Sequence, residues 1–277
     1  MRKRKAWLLL AALTVLLVIR AVVNGQNVHT VSQMQREDIT AILAQDNFSE
    51  KDYRTLLLQT GLGKTAVEDL KRQSESFAED MLKFQEQYFA PVHCQSDVMF
   101  PTAREERLVD ENGNPRTIRL APVHDGDIVI TRATHTMTWR HGHAAIITDA
   151  QAEQTLESVV FGEKSSFQML EKWRGYPSVL VLRPKNRSAG EEAAQFAKTH
   201  LGDVDYSLFV GLKKKDKQEG AIIDSTQCAH LVWQAYRAAG IDTDANGGWL
   251  VLPRDIANSP ELELVQTFGF AVQNPYW

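Results

Sequence analysis

Four short apolar runs follow one another between Ile128 and Arg183 with no helical stretch between them. They are Ile128-Val129-Ile130-Thr131, Ala144-Ala145-Ile146-Ile147-Thr148, Gln154-Thr155-Leu156-Glu157-Ser158-Val159-Val160-Phe161 and Val179-Leu180-Val181-Leu182-Arg183. Each has the length and composition of a strand. Their close succession predicts an antiparallel sheet or an open barrel. Helical patterns lie on both sides of the sheet, and Leu262 to Val265 adds a last short strand. The order helices, strands, helices predicts an α+β protein.

The helical lead runs through residues 31–90. Ile39, Ile42 and Leu43 share one face of a first helix, and Ser49-Glu50-Lys51-Asp52 opens a second that carries Leu56 and Leu57. Gly61-Leu62-Gly63 reads as a turn, and Thr65 to Phe89 as one longer helix that stops before Pro91. No catalytic motif lies here. Apolar stripes at helical spacing usually mark packing surfaces, so this section is expected to pack or to wall a substrate groove. Asn112-Gly113, flanked by Leu108-Val109 and Thr117-Ile118, predicts a hairpin. The expected divisions are a leader at 1–25, a helical lead at 26–100 and a catalytic domain at 101–277.

Arg2-Lys3-Arg4-Lys5 followed by the apolar run from Ala6 to Ile19 has the form of an export signal. The run is short for a spanning helix, which needs about 20 residues. Cleavage after Gly25 and retention as an anchor through residues 6–23 are both open. Either outcome places the body outside the cytoplasm, with membrane contact through the N-terminal segment. Removing the five basic residues of positions 1–25 from a formal charge of −4 leaves the body at −9. So acidic a body does not fit a nucleic-acid binder. The two cysteines, Cys94 and Cys228, are too few for a disulfide framework and are expected to be free. His93-Cys94 is a metal-type pair without a second pair at ligand spacing, and no nucleotide-binding loop is present. No cofactor is therefore expected.

Asp224 to Gly240 carries the chemistry. Ser225 or Thr226 is placed to cap a helix, and Gly240 to end it in the left-handed conformation. Cys228 then falls in the first turn, where the helix dipole favours a thiolate and backbone N–H groups are free to meet an oxyanion. Cys228 also reads as a small buried hydrophobe on the face of Val232, Ala235 and Ala239. A thiolate nucleophile needs a base, and the base needs a polar group to orient it. His143, opening a strand after Gly142, and Glu157, on the next strand, supply those types. His141 is the rival base. His230 projects elsewhere on the helix and is expected to be structural. Lys213-Lys214-Lys215 reads as a solvated loop.

Gly126-Asp127-Ile128, Gly142-His143-Ala144-Ala145-Ile146, Leu156-Glu157 and Thr226-Gln227-Cys228-Ala229-His230-Leu231-Val232-Trp233 occur in that order. With Gly240-Ile241-Asp242 and Pro253-Arg254-Asp255-Ile256, they resemble the circularly permuted NlpC-type papain-like cysteine hydrolases, the YiiX-like group. The resemblance covers about residues 120–265 and leaves out the helical lead. It implies a small antiparallel sheet with the cysteine helix packed on it, Cys228 as nucleophile, His143 as general base and acid, and Glu157 as the group orienting His143. Tyr206 would line the oxyanion site with the Cys228 N–H, and the Gln227 side chain competes for that role. The substrate implied is an amide bond of the cell envelope, such as one in a peptidoglycan stem peptide. Two other readings stay open. One is a lipid acyl hydrolase or acyltransferase of the lecithin–retinol type. The other is a binding module that has lost its chemistry.

Overall fold

The computed structural model describes residues 7, 10–16, 29–100, 103–136, 139–211 and 224–271. The basic segment Arg2-Lys3-Arg4-Lys5, the apolar run beyond Leu16, the expected cleavage point after Gly25 and the Lys213-Lys214-Lys215 loop lie outside those residues. Residues 10–16 are helical and exposed. No helix among the described residues is long and apolar enough to cross a membrane.

From residue 29 the chain begins with α1 (Thr40–Leu43), α2 (Glu50–Thr60), α3 (Lys64–Gln73) and α4 (Phe77–Phe89). A hairpin of β1 (His93–Phe100) and β2 (Ala103–Val109) follows, then β3 (Ile128–Thr131), β4 (Thr134–Thr136), β5 (His143–Asp149), β6 (Gln154–Glu157) and β7 (Ser166–Met169). After α5 (Glu171–Arg174) come β8 (Val179–Pro184), α6 (Arg187–His200), β9 (Asp205–Tyr206) and β10 (Ser225–Thr226). The last elements are α7 (Cys228–Ala238), α8 (Pro253–Ala257) and β11 (Leu262–Phe268). The main sheet is antiparallel throughout, in the order β11-β8-β3-β5-β6-β7. β1, β2 and β4 make a smaller antiparallel sheet, and β9 and β10 a short parallel pair. The molecule is α+β.

The central strands read as continuous apolar runs because both faces of the sheet are covered. Ile128, Ile130, Ala144, Ile146, Leu180 and Leu182 pack with Ala193 and Ala197 of α6 and with Leu231, Val232 and Ala235 of α7. Their alternate neighbours Val129, Ala145, Ile147, Val179 and Val181 pack with Leu56, Val67, Met81 and Phe84 of the lead helices. Side chains of successive strand residues point to opposite faces, so one strand feeds two cores. One buried arginine ties the lead to the sheet. Arg183 donates to both carboxylate oxygens of Asp127 on its own sheet, at 2.7 Å each, and to Asp69 Oδ2 of α3 at 2.6 Å.

Several expectations need correction. The segment 65–89 is two helices, because Ser74 turns extended and its hydroxyl accepts from Ser76 N while donating to Asp80. A serine bonded this way competes with the helix backbone. Asn112-Gly113 is a turn held by the Asp110 carboxylate, which accepts from Asn112 N and Asn114 N. Only the Val109–Pro115 bridge spans it, while β2 pairs with β1. The strand expected over 154–161 ends at Glu157. The last strand extends three residues past Val265. The Gly61-Leu62-Gly63 turn is present and bonds the edge of β11 through Gly63 N to Val265 O and Thr267 N to Gly61 O. That backbone contact covers an otherwise open sheet edge.

Candidate active site

α7 is buried from Cys228 through Tyr236, which explains its apolar residues on every side. Its cap is neither Ser225 nor Thr226, which form β10. Gln227 holds the N-cap position, and its Oε1 accepts from Ala229 N at 3.0 Å. Gln227 Nε2 donates to Val251 O at 2.6 Å, so the amide expected to compete for an oxyanion is committed to the protein. Gly240 lies in the left-handed region at φ 80°, as its position in sequence predicts. Cys228 is the first helical residue, and its N–H is one of the donors that the helix itself leaves unpaired. Cys94 and Cys228 are both free thiols.

His143 opens β5 immediately after Gly142, whose φ of 72° strains any residue with a side chain. The register that sets Ile146 opposite Leu156 places Glu157 on the same face as His143. His143 Nε2 donates to Glu157 Oε2 at 2.8 Å, which leaves Nδ1 for the hydrogen bond between His143 and Cys228. All three side chains are nearly or fully buried. Burial alone would push the imidazole toward its neutral form. The hydrogen bonds to Cys228 and Glu157 and the charge of Glu157 override it and raise His143 to about 9. Burial likewise opposes ionisation of Glu157, and His143, Lys172 and Trp173 outweigh it, holding the carboxyl at about 2. At neutral pH the pair is imidazolium and carboxylate.

The indole of Trp173 lies parallel to the His143 ring, with centroids 5.5 Å apart. Its Nε1 donates to Glu157 Oε1 at 2.8 Å. Thr155 Oγ1 donates to the same oxygen at 2.9 Å, and Lys172 Nζ lies 3.3 Å from Oε2. Both carboxylate oxygens are thus bonded, and the carboxylate has no freedom to turn away from His143. None of these supporting residues is legible from sequence, since nothing in the run Glu171-Lys172-Trp173-Arg174 points to Glu157.

Tyr206 lies opposite Thr226 in the β9–β10 pair, two residues before Cys228, and lines one cavity with Cys228 and His143. Burial, and then the sulfur's charge, push its phenol well above the usual range, so it stays a neutral donor. His141 lines the same cavity, but its ring nitrogens bond Thr136 Oγ1 at 3.0 Å and Gly142 O at 2.7 Å. His230 bonds Thr226 Oγ1 at 3.2 Å inside the core. The motif residues outside the cavity hold the frame. Asp127 pairs with Arg183, and Tyr236 OH donates to Gly126 O. Asp255 accepts from Leu252 N and Asn246 Nδ2, which fixes the loop that presents Val251 O to Gln227.

Cys94 has partners other than His93. It is half-buried and lies with the buried His29 and Glu106 in a cluster whose ligand atoms are within 4.8 Å of one another. Arg140 pairs with both oxygens of Glu106, at 2.6 and 2.9 Å, and so already supplies a cation there.

No protein-family model matches the chain, and no solved structure matches it. Among curated proteins it is similar to "Uncharacterized protein YycO" of Bacillus subtilis (strain 168), with 27% identity over 207 residues. That match covers 68% of this chain and 80% of the relative.

Proposed function

We propose that the chain is a cysteine hydrolase of the permuted papain-like type, which cleaves a carbonyl substrate through an acyl-enzyme. The single observation that carries this reading is the placement of His143. It is bonded on one side to Glu157 and on the other to a cysteine that opens a helix at a cavity. In the reading, the Cys228 sulfur attacks the carbonyl carbon while the Cys228 N–H and the Tyr206 hydroxyl receive the oxyanion. The tetrahedral intermediate collapses as His143 gives its proton to the leaving group. Water then adds with His143 as base, and the carbon–sulfur bond breaks. Glu157 holds the imidazole in the one tautomer and orientation that serve both steps. An amide in the cell envelope is the substrate suggested by the sequence resemblance and by the export-type leader, and we place the enzyme there, outside the cytoplasm.

The test is the pH dependence of iodoacetamide labelling in the purified protein, read by mass spectrometry at Cys94 and Cys228 separately. Cys228 is expected to label rapidly well below pH 8.5, the ordinary range of a free thiol at about that value, and at least tenfold more slowly in His143→Ala. Burial raises Cys94, so it serves as the internal slow reference. Labelling of Cys228 at the rate of a simple thiol, unchanged in His143→Ala, removes the catalytic pair and leaves the binding-module reading.

A further inference from the structure

The cavity that holds Cys228 and His143 encloses about 260 Å³. In a wall made mostly of carbon, a few fixed polar groups decide how a ligand is oriented. One of them, Tyr206, serves the oxyanion in the proposed mechanism. Thr134 is another. It opens β4, and its carbonyl accepts from Gly142 N at 3.2 Å, so it is tied to the turn that delivers His143. The Thr134 side chain lines the cavity and is only 6% exposed, yet its hydroxyl has no hydrogen-bond partner among the described residues. A buried hydroxyl is costly when left unpaired, and one on a cavity wall can be satisfied by a polar group that enters.

Arg104, on β2, lines the same cavity and is exposed. The carboxylates that follow it along the strand are committed elsewhere. Glu105 pairs with Arg107, and Glu106 with His29 and Arg140. Among the described residues no carboxylate pairs with Arg104. The β2–β4 register sets Thr134 opposite Glu105 and Arg104 opposite His135. Residues opposite one another share a face, and faces alternate along a strand. Thr134 and Arg104 therefore leave the sheet on different sides, one buried and one exposed. They mark two depths of one cavity and ask for two different groups on one ligand.

We propose that Thr134 and Arg104 determine specificity for a substrate that carries a carboxylate a few bonds from the carbonyl attacked. Thr134 Oγ1 hydrogen-bonds an amide beside the reacting carbon, and the Arg104 guanidinium takes the carboxylate at the mouth. The inference rests on the cysteine-hydrolase reading and names its substrate class, an acidic amide. A guanidinium suits this task because its paired N–H donors match the two oxygens of a carboxylate. The body of the protein is acidic, so a lone cation at the opening also decides where such a substrate can approach. The apolar remainder of the wall, including Val159, Val160 and Leu208, excludes water and strengthens the hydrogen bond at Thr134.

The experiment alkylates Cys228 in the purified protein with the N-iodoacetyl derivatives of glycine, β-alanine and γ-aminobutyrate, each paired with its carboxamide. Mass spectrometry follows the rate at Cys228. Every probe sets an amide beside the reacting carbon, and each step lengthens the reach to the carboxylate by one methylene. Glutathione supplies the intrinsic rate ratio of each pair. The acid is expected to outrun its carboxamide about twofold to fivefold beyond that ratio, the size of one exposed ion pair, with a peak at one length. High salt reduces the preference. Arg104→Gln abolishes the peak and Arg104→Lys keeps part of it. Arg54→Gln, at an exposed position on α2, leaves it unchanged. The His143 imidazolium attracts every acid in the series, so the dependence on length and its loss in Arg104→Gln assign the carboxylate to Arg104. Thr134→Val is expected to slow acid and carboxamide alike, about threefold to tenfold for one hydrogen bond, whereas Thr134→Ser retains the hydroxyl and the rate. Ratios equal to those of glutathione at every length, a peak that survives Arg104→Gln, or wild-type rates in Thr134→Val overturn the assignment. The iodoacetamide profile above decides the catalytic pair separately. Fast labelling at low pH with flat ratios keeps the hydrolase and overturns the subsite. Labelling at the rate of a simple thiol removes the hydrolase and the substrate class with it.

Discussion

His143 is buried and still charged at neutral pH, and that combination depends on its hydrogen bonds to Cys228 and Glu157 and on the Glu157 charge. Replacing Glu157 with glutamine removes part of what holds the imidazole up. The alkaline limb of kcat/KM, expected near pH 9 in the wild type, therefore moves to lower pH, and kcat falls by about a hundredfold or more. A pH-rate profile checks both effects. The same pair sets a stability window. His143 is raised above its unfolded value of 6.5, so its contribution is complete below that value and is lost as pH rises toward about 9. Glu157 is lowered from 4.5, so its contribution is complete above that value and is lost as pH falls toward about 2. Melting temperatures of the wild type should drop on both sides of a plateau, and in Glu157→Gln the alkaline drop should shrink. Trp173→Phe keeps the ring against His143 but removes one bond to a carboxylate, worth about 1.5–3 kcal/mol. A loss of kcat on the order of tenfold to a hundredfold with KM unchanged is expected from steady-state kinetics. Cys228, His143 and Glu157 stand out in sequence because reaction chemistry restricts which residue types can serve. Trp173 does not, because it acts only through a contact that folding creates. Gln227 is legible as a residue beside the nucleophile, but the Val251 carbonyl that claims its amide is not.

Among the elements, Gly126 and Arg183 show what the motif residues outside the cavity do. A Cβ on Gly126 would lie 2.3 Å from the Gly190 carbonyl oxygen, at a φ of 87°. Gly126→Ala must therefore push α6 off β3, and a lower urea midpoint is expected. Arg183→Met would leave Asp127 buried without its cation and Asp69 with only Arg72 and His124, which costs about 3–5 kcal/mol. Urea unfolding followed by circular dichroism reads that loss, while Cys228 labelling in the folded fraction should persist. The strands and α7 were legible as elements because burial on both faces writes continuous apolar runs and Gly240 marks a helix end. Their boundaries were less so. Ser225 and Thr226 have good capping chemistry, yet pairing with β9 draws them into a strand and passes the cap to Gln227. β7 escaped notice because its apolar residues Phe167 and Met169 face solvent, so they carry no burial pattern.

At the scale of the molecule, the helical lead is one half of the interior. Leu56, Val67, Met81 and Phe84 cover the sheet face that bears Val129, Ala145, Ile147 and Val181. A chain cut to residues 93–277 would expose that face and is expected to aggregate, which solubility and light scattering report. Sequence alone identified the lead as a packing module or a groove wall but not the surface it packs on. Helical periodicity tells which side of a helix is apolar and is silent on its partner.

Trp173, stacked on His143, belongs to the core on the lead side, whereas Cys228 belongs to the core on the α7 side. The proposed nucleophile and the scaffold of its proposed base thus come from opposite sides of the sheet and meet at its end. The candidate active site is a seam, and its geometry reports whether both sides have been assembled. Below about pH 8.5, urea should bring Cys228 labelling toward the rate of a simple thiol before it melts the sheet, so reactivity becomes a gauge of docking. A chain whose lead has not yet settled would carry every proposed catalytic residue and remain inert.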